Sequence, residues 1–252
     1  IGGKDLLNGK RFDKGGYILT YDYDKWSFID PKEAQKKLNL PRNPRDYTSI
    51  AVTTDDSNDE IVYASSMGDG VIQYKNGTPV QSYNEKNAFK ETAGGYGSGY
   101  CYIDGLAFDK NGNLWMTSSE VNHAVLVLDK AGAWHRLDIE QLRGVYTIND
   151  ILITSTNDKW IYVPRNTPKL VMIPNSESLD EVSSYEFTTL IDTDGKELTP
   201  SNYTCVAEDK DGYIWVGTNR GAVYFTKPRI SSAEDKAATR CTRVKYTNEE
   251  TG

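Results

Sequence analysis

Short apolar runs alternate with polar turns along most of the chain. Residues 106–115 read LAFDKNGNLW and residues 206–215 read VAEDKDGYIW, so the two segments align without a gap. In each segment an apolar run of strand length leads into an Asp-Lys-x-Gly turn. Glycine supplies a positive φ there, and aspartate hydrogen-bonds its own backbone. A tryptophan strand follows, so the pattern predicts a tight β-hairpin at both places.

This hairpin recurs in two further copies. Residues 151–160 form a copy with a weakened turn, and another copy has strands at 49–53 and 60–65, with Tyr63 near the tryptophan position. The tryptophans recur at intervals of about 50 residues, which is close to the period of a propeller blade. Because they occupy one repeated position, we expect them to be buried between blades. They are Trp115, Trp160 and Trp215.

Two further strands complete each copy, as at 71–74 and 80–83 after the most N-terminal one. Sheets of this size bury their faces only against neighbouring sheets. The fold class predicted is therefore all-β, a β-propeller with about four complete four-stranded blades plus an outer half-blade. The half-blade lies at 15–30, and its strands are 17–22 and 26–29. The blades are expected at about 48–83, 101–138, 146–190 and 203–248, in a single propeller portion that covers 1–252.

The half-blade has no inner strands before it in the sequence, and no spare strand follows the last blade. We therefore expect a fragment of a larger ring, whose open edges a second copy of the chain covers. The chain begins at Ile1 without a methionine or a signal peptide, so we interpret it as a processed or excised piece.

Helical signal is sparse outside these repeats. Residues 30–38 combine an early proline with good helix formers and predict one short helix, and residues 138–142 predict a single helical turn. The polar, alanine-rich segment 231–239 is expected to be an outer loop rather than a packed helix. The glycine-rich run 94–99 leads into the strand at Cys101 and not into a helix. It is therefore predicted to be a flexible linker and not a phosphate-binding loop.

Composition agrees with a folded β domain and excludes several function classes. Hydrophobic residues make up 38% and charged residues 26%, and the 17 tyrosines and 5 tryptophans favour strands. The net charge of −7, without a basic run, argues against a nucleic-acid partner. No apolar stretch approaches the ~20 residues of a membrane-spanning helix, so the chain is expected to have no membrane span.

The chemistry-bearing residues do not form a catalytic or metal-binding pattern. Three cysteines and two histidines occur without a CxxC or CxxH pair, so neither a metal nor a cofactor is expected. Cys101 and Cys205 open strand-like runs and are expected to be buried, although one disulfide among the three cysteines is not excluded by the sequence. His123 and His135 lack a nucleophile context, so we expect ordinary surface histidines and no catalytic residue. The Asp-x-Asp-Gly segments ending at Gly195 and Gly212 are interpreted as turns and not as calcium loops.

Candidate binding residues lie in the loops that would rim a propeller funnel. One loop set covers 30–47, 84–100, 138–146 and 190–202, and the other covers 65–70, 118–123, 164–168 and 219–221. Arginines in equivalent loops of successive blades suit carboxylate or phosphate, and the alternative is that both are solvated. Trp26 and Trp134, on outer strands, are expected to be partly exposed. The predicted binding residues are His123, Arg165, Asn166, Asn219 and Arg220.

Two resemblances to known families add to this picture. Residues 208–225, EDKDGYIWVGTNRGAVYF, resemble the two-component regulator propeller repeat that is common in Bacteroidetes. The succession of blades from about residue 100 to 248 resembles the PorZ-like propeller proteins of the type IX secretion system's surface attachment complex. The segments that carry this second resemblance are 127–137, 149–153, 159–165, 216–219, 226–228 and Cys241.

The PorZ-like resemblance implies a non-catalytic scaffold or binding module in type IX secretion and surface attachment of cargo. It implies a periplasmic or outer-membrane-associated surface location, a second propeller and a C-terminal sorting domain. The implied partners are secretion or surface-complex proteins and anionic lipopolysaccharide or glycan. A homodimer through open propeller edges is a further expectation.

The regulator-repeat resemblance implies an alternative function. The chain would then be the periplasmic propeller of a hybrid two-component histidine kinase that detects oligosaccharides. An enzyme such as a propeller lyase or glycosidase is the third hypothesis. It needs a funnel cluster of histidines and carboxylates that the sequence does not bring together.

Overall fold

The computed structural model describes residues 14–92 and 99–244. The contacts divide the chain into two compact units, of which the first ends at Ile151 and the second begins at Leu152. Within the described residues, no helix has the length and apolar character needed to span a membrane.

The first unit contains a two-stranded hairpin, which we call the half-blade, and two four-stranded antiparallel sheets, blades 1 and 2, which a short strand pairing between them links into one eight-stranded sheet. The half-blade consists of β1 (Ile18–Asp22) and β2 (Lys25–Ile29) and precedes helix α1 (Pro31–Leu38). Blade 1 consists of β3 (Tyr47–Thr54), β4 (Glu60–Gly68), β5 (Gly70–Lys75) and β6 (Thr78–Tyr83). After a π-helical turn at Glu85–Phe89, blade 2 consists of β7 (Cys101–Phe108), β8 (Leu114–Ser118), β9 (Val125–Leu128) and β10 (Trp134–Leu137).

These three sheets of the first unit stack face to face, because side chains alternate between the two faces of each strand. Tyr63 of blade 1 meets Phe108 of blade 2 at 5.9 Å between ring centroids, inside a core that both blades share. The opposite face of blade 1 forms a second core with Ile18 of the half-blade and Ala34 of helix α1. Pairing of β4 with β7 joins the two blades at Met67 and adjacent residues.

The second unit contains blades 3 and 4. Blade 3 consists of β11 (Ile151–Ile153), β12 (Lys159–Val163), β13 (Lys169–Ile173) and β14 (Tyr185–Phe187), and its first residue is the last of the first unit. A small hairpin, β15 (Leu190–Ile191) and β16 (Glu197–Leu198), follows. Blade 4 consists of β17 (Tyr203–Glu208), β18 (Ile214–Thr218), β19 (Gly221–Phe225) and β20 (Thr242–Arg243), with helix α2 (Ala233–Ala238) before its last strand.

One turn geometry explains the Asp-x-x-Gly-x-x-Trp repeat. Asp109 Oδ1 accepts the amide N–H groups two and four residues later, both at 2.9 Å, and its Oδ2 accepts the indole N–H of Trp115 at 2.9 Å. Asp209 repeats this arrangement, with the indole of Trp215 at 2.6 Å. Gly112 has a φ of +84°, which the turn requires. The carboxylate therefore fixes the turn and the tryptophan together, which accounts for their fixed spacing.

The same turn occurs on the outer strands of blade 2 with histidine in place of tryptophan. Asp129 accepts the amide of Ala133 at 2.8 Å and lies 3.1 Å from His135 Nε2. His135 occupies the position six residues after the aspartate, as the tryptophans do. His135 is therefore hydrogen-bonded within a structural turn.

Four four-stranded sheets and a half-blade confirm the predicted fold class, but two burial predictions are wrong. Trp115 and Trp160 are each 1% exposed as expected, whereas Trp215 is 36% exposed. Cys205 was also predicted to be buried and is exposed, while Cys101 is buried and all three thiols are free. Cys205 and Trp215 share one face of blade 4. That face has no second sheet packed over it among the residues that the structure describes.

The helical predictions are confirmed in two places and wrong in a third. Helix α1 starts after Asp30, whose carboxylate accepts the amide of Lys32, and a 3-10 turn at Glu140–Leu142 matches the predicted single turn. Residues 231–239 were expected to be a loop but contain helix α2, which buries no side chain. Local capping forms this helix, because Ser232 accepts the amide of Asp235. The predicted linker at 94–99 lies outside the described residues except for Gly99.

Candidate functional site

A charged contact joins two of the predicted rim loops of the first unit. Glu91, between the π-helical turn and β7, pairs with His123 Nδ1 in the loop after β8. The other carboxylate oxygen of Glu91 accepts the amide N–H of Asn122 at 2.8 Å. Glu91 therefore binds both the side chain of His123 and the backbone of Asn122 in the opposite loop.

The environment of Glu91 favours its ionised form. Partial burial raises the pKa of this carboxyl, but hydrogen bonds from His123 and from the Asn122 amide outweigh that effect. The net result is a pKa below the ordinary value for glutamate. At neutral pH the contact is consequently an ionised carboxylate between two donors, which suits a tether between loops.

One of these two loops, 84–100, also lines a cavity of about 270 Å³ in the first unit. Its walls come from three of the predicted rim loops, at 30–47, 65–70 and 84–100. Apolar groups, among them Leu40 and Pro41, lie beside charged and hydrogen-bonding groups in the same wall. The polar side chains of the lining include Arg42, Asp69, Asn84, Glu85, Lys86 and Tyr100.

Asp69, one of the lining residues of this cavity, is held by two contacts with the loop before β3. Its Oδ1 lies 2.6 Å from Arg42 Nη2, and its Oδ2 accepts the amide of Arg45 at 3.0 Å. Asp69 is thus committed to its own loops, whereas the Asn84 and Lys86 side chains line the wall without such a carboxylate partner in the described contacts. The mixture of one ion pair, amide and ammonium donors and a tyrosine suits a small polar ligand rich in hydroxyl or carboxylate groups.

The other predicted binding residues lie in the second unit. Asn219 has a structural role, because its Oδ1 accepts the amides of Ser201 at 2.9 Å and of Asn202 at 3.1 Å. It thereby holds the loop before β17 against the loop after β18. Arg220 is exposed, and its backbone amide donates to Thr218 Oγ1 at 2.9 Å.

Arg165 and Asn166 lie in the loop that follows β12, the counterpart of the Asn219 and Arg220 loop in blade 4. Arg165 is half-buried, and Asn166 is exposed with a φ of +68°, a left-handed conformation that asparagine tolerates in turns. Anion binding by Arg165 and Arg220 stays a prediction. His123 belongs to the first unit and the other four predicted residues belong to the second.

The set of binding residues predicted from the sequence includes His123 but neither Glu91 nor the Arg42–Asp69 pair. These three residues lie in loops of irregular length that carry no repeat register. Glu91 is 32 residues from His123, so no spacing pattern connects the two. A search for charged residues in the loops that precede the first strand of each blade would have found Arg42 and Glu91, and Asp69 lies in the other loop set. Among the described residues, no group of three or more histidine, cysteine or acidic side chains could hold a metal ion.

Comparisons with known proteins agree with this architecture. The family model described as two component regulator propeller matches residues 197–220, which covers β16 to β18. A comparison with curated protein sequences finds no match. The sheet architecture and the solved structures that match it define a β-propeller fold.

Among the solved structures, the chain resembles PorZ, an essential surface component of the type IX secretion system of Porphyromonas gingivalis. The TM-score is 0.76 at 18% identity over 94% of this chain, and this chain covers 32% of that protein. The extracellular domain of the hybrid two-component system BT3049 from B. thetaiotaomicron matches at a TM-score of 0.54 and 18% identity, over 88% of this chain and 26% of that one. At these identities the likeness shows the fold.

An enzyme shares the fold as well. A catalytically inactive virginiamycin B lyase from Staphylococcus aureus, with quinupristin, matches at a TM-score of 0.58 and 14% identity. The match covers 98% of this chain and 69% of the lyase. The fold by itself is therefore compatible with scaffolds, sensors and enzymes.

Proposed function

We propose that this chain is a non-catalytic scaffold and binding module of a periplasmic or surface-exposed protein. In this proposal it acts as PorZ-like propellers do, in type IX secretion and surface attachment of cargo. The observation that carries the proposal is the likeness to PorZ, with a TM-score of 0.76 against 0.54 for the sensor BT3049. Secretion or surface-complex proteins and anionic lipopolysaccharide or glycan are the proposed partners.

The contacts of the two histidines are compatible with either a binding or a catalytic role. Asp129 holds His135 within a structural turn, and Glu91 holds Nδ1 of His123. A histidine whose Nδ1 is held by a carboxylate keeps Nε2 as an acceptor. The non-catalytic role that we propose therefore rests on the likeness to PorZ and not on these contacts.

A second candidate is the ligand-sensing propeller of a hybrid two-component histidine kinase that detects oligosaccharides. The regulator-repeat match at residues 197–220 favours it, as do the extracellular domains of BT3049 and BT4673 among the similar structures. The two candidates predict different downstream regions of the parent protein. A second propeller with a sorting domain fits the first, and a transmembrane helix with a kinase fits the second.

A binding experiment tests the proposed anionic ligand directly. The purified chain is titrated with anionic lipopolysaccharide and with a neutral oligosaccharide of similar length, and binding is measured by calorimetry. We expect preference for the anionic ligand, and about tenfold weaker binding for Arg165→Gln or Arg220→Gln. Arg240→Gln, whose guanidinium hydrogen-bonds backbone carbonyls beside helix α2, is the matched control. Preference for the neutral oligosaccharide would support the sensor, and cleavage of either ligand would refute the non-catalytic role.

A further inference from the structure

Blades 3 and 4 border a cavity of about 270 Å³ in the second unit, which we call the interblade cavity. Its lining comes from the turn between β11 and β12, the turn between β17 and β18, and the loop after β19. All of these segments lie within the described residues of the second unit. The face of blade 4 that carries Trp215 takes no part in the lining, so the cavity belongs to the contact between two blades that are both described.

The floor of the interblade cavity is apolar. Trp160 and Ile214 line it, and both are buried in the core that blades 3 and 4 share. The Trp160 ring lies 5.6 Å from the ring of Phe225, measured between centroids. Because Trp160 is 1% exposed, it presents no open ring face on which a ligand could stack. Recognition of a ligand therefore depends on the polar groups of the walls.

Glu208 fixes the wall where the two blades meet. Its Oε1 accepts the hydroxyl of Ser155 at 2.5 Å, and its Oε2 accepts the amide N–H of Ser155 at 2.6 Å. A side chain on Gly212 would come within 3.7 Å of both Glu208 Oε1 and Lys227 Cγ, so the glycine leaves space between them. The turn of blade 3 is consequently held against blade 4 before any ligand binds.

Three cationic side chains line the interblade cavity. They are Lys210, in the turn between β17 and β18, and Lys227 and Arg229, in the loop after β19. All three are exposed, and none of them forms an ion pair or a hydrogen bond within the part of the chain that the structure describes. Three positive charges therefore converge on one cavity without a partner from these residues.

A lysine at the same end of blade 1 is neutralised within its own blade. Lys75, at the end of β5, lies 2.6 Å from Asp55 Oδ2 and 2.8 Å from Asp59 Oδ2, both in the turn between β3 and β4. In blade 4 the corresponding turn carboxylate, Asp209, instead accepts the indole N–H of Trp215 and two turn amides. The cations of the interblade cavity therefore remain available to a ligand.

Carboxylates in the same lining narrow the class of ligand. Both oxygens of Asp158 accept hydrogen bonds, from the amide of Asn175 at 2.8 Å and from the hydroxyl of Thr156 at 2.5 Å. Asp211 is exposed, and its carboxylate has no partner among the described residues. A bare anion would be repelled by Asp211, whereas ligand hydroxyl groups can donate to it. The lining thus suits a ligand that combines an anionic group with hydroxyl groups.

We propose that the interblade cavity binds a small hydroxylated phosphate monoester, of the size of one phosphorylated sugar. A phosphate monoester carries a charge of about −1.5 to −2 at neutral pH, which matches several cations better than a single carboxylate does. Arg229 binds the phosphate bidentately, the two lysines act as point charges, and Asp211 accepts the hydroxyl groups. Pockets for drug-sized ligands start at about 300 Å³, so a cavity of about 270 Å³ takes one such unit and not a peptide.

This inference does not depend on the proposed function. The rim loops at 164–168 and 219–221 follow β12 and β18, whereas the interblade cavity lies at the end where these two strands begin. The rim arginines and the interblade cavity are therefore at opposite ends of the strands, and variants can test the two sites separately.

Calorimetric titration of the purified chain with glucose 6-phosphate tests the proposal. We expect binding at least about tenfold tighter than that of glucose, of glucuronate or of inorganic phosphate. Lys227→Gln and Arg229→Gln should each weaken binding of glucose 6-phosphate about tenfold. Arg240→Gln is the matched control, because its guanidinium donates to backbone carbonyls beside helix α2, and it should bind as the wild type does. Equal binding of any of the three comparison ligands, or unchanged binding by both lining variants, overturns the proposal.

A trisaccharide that ends in the same sugar phosphate distinguishes the source of the ligand. Tighter binding than that of glucose 6-phosphate would support the end of a glycan, and weaker binding would support a free metabolite.

Nuclear magnetic resonance of the full chain checks the location of the bound ligand. Glucose 6-phosphate should shift the amide signals of Ser155 and Gly212, which line the interblade cavity, and leave those of Asn166 and Gly221 in the rim loops unchanged. Shifts confined to the rim loops overturn this site and leave the proposed function intact. Shifts at Ser155 and Gly212 in a chain that does not bind anionic lipopolysaccharide support this site and contradict the proposed anionic partner alone.

Discussion

Replacing Asp109 with alanine tests whether the repeated aspartate holds the turn, the tryptophan or both. The carboxylate of Asp109 accepts four hydrogen bonds at 2.9 Å, of which three come from the turn itself. The fourth comes from the indole N–H of Trp115, which is 1% exposed. When the carboxylate is removed, the N–H donors of the turn can hydrogen-bond to water, whereas the buried indole N–H of Trp115 cannot reach water.

The expected loss follows from these environments. Hydrogen bonds to charged groups contribute about 1.5–3 kcal/mol, and an unsatisfied buried donor costs about 1–3 kcal/mol. We therefore expect Asp109→Ala to lower the free energy of unfolding by about 3–5 kcal/mol. Trp115→Phe removes the donor, so Asp109→Ala should cost about 1–3 kcal/mol less in that background.

The assay is urea unfolding followed by far-ultraviolet circular dichroism, with the wild type, the two single variants and the double variant. Both positions lie in blade 2 of the first unit, so the four proteins are compared on the same cooperative structure. Asp209→Ala provides a matched substitution in blade 4. Its partner Trp215 is 36% exposed and can hydrogen-bond water, so a smaller loss is expected there.

A coupling between Asp109 and Trp115 below about 0.3 kcal/mol would refute the reasoning, because independent sites give additive losses. Equal losses for Asp109→Ala and Asp209→Ala would show that burial of the indole does not set the cost. In either case the aspartate would act on the turn alone.

Three further predictions concern single side chains. In the folded chain one thiol, that of Cys205, should react with maleimide at neutral pH. Cys241 is buried, and burial and nearby Glu85 raise the pKa of the Cys101 thiol to about 12. Modification of two or three thiols would contradict this. Glu91→Gln should be less stable than the wild type in urea at pH 7, and the difference should shrink as the pH falls below the unfolded-state glutamate pKa of about 4.3 and be lost below the lowered folded-state pKa. Because the pKa of Glu91 is lower in the folded state than in the unfolded state, the ionised carboxylate stabilises the fold at neutral pH, and protonation removes this stabilisation. A stability difference that persists in acid would contradict this prediction. Tyr203→Phe should raise the unfolding free energy by about 1–3 kcal/mol, since the buried Tyr203 hydroxyl has no hydrogen-bond partner among the described residues and its removal relieves an unsatisfied polar group. A loss of stability would contradict this.

Turn chemistry and strand periodicity were predictable from the sequence because both are local. Asp109 reaches amides two and four residues away and an indole six residues away, so a fixed spacing contains the whole interaction. The alternation of side chains along a strand is equally local. The four blades, the half-blade and helix α1 followed from these short-range rules. Helix α2 is also stabilised by a local cap, but its polar composition led to the prediction of a loop.

Burial was not local, and here the sequence prediction was partly wrong. Trp115, Trp160 and Trp215 share one position in the repeat, yet Trp215 alone is exposed to 36%. Cys205 differs from Cys101 in the same way. A repeat register gives the face on which a side chain lies but not the sheet that packs over that face.

The rim contacts required the tertiary structure for a different reason. His123 was a candidate from its loop, but its partner Glu91 is 32 residues away in a loop without a repeat. Loop length and path decide which charged groups meet, and neither carries a periodic signal. By itself the sequence determined the hairpins, their strand order and the turn that fixes each tryptophan, because these depend on neighbours along the chain. Only the tertiary structure decided which faces are covered and which loops meet, because these depend on distant parts of the chain.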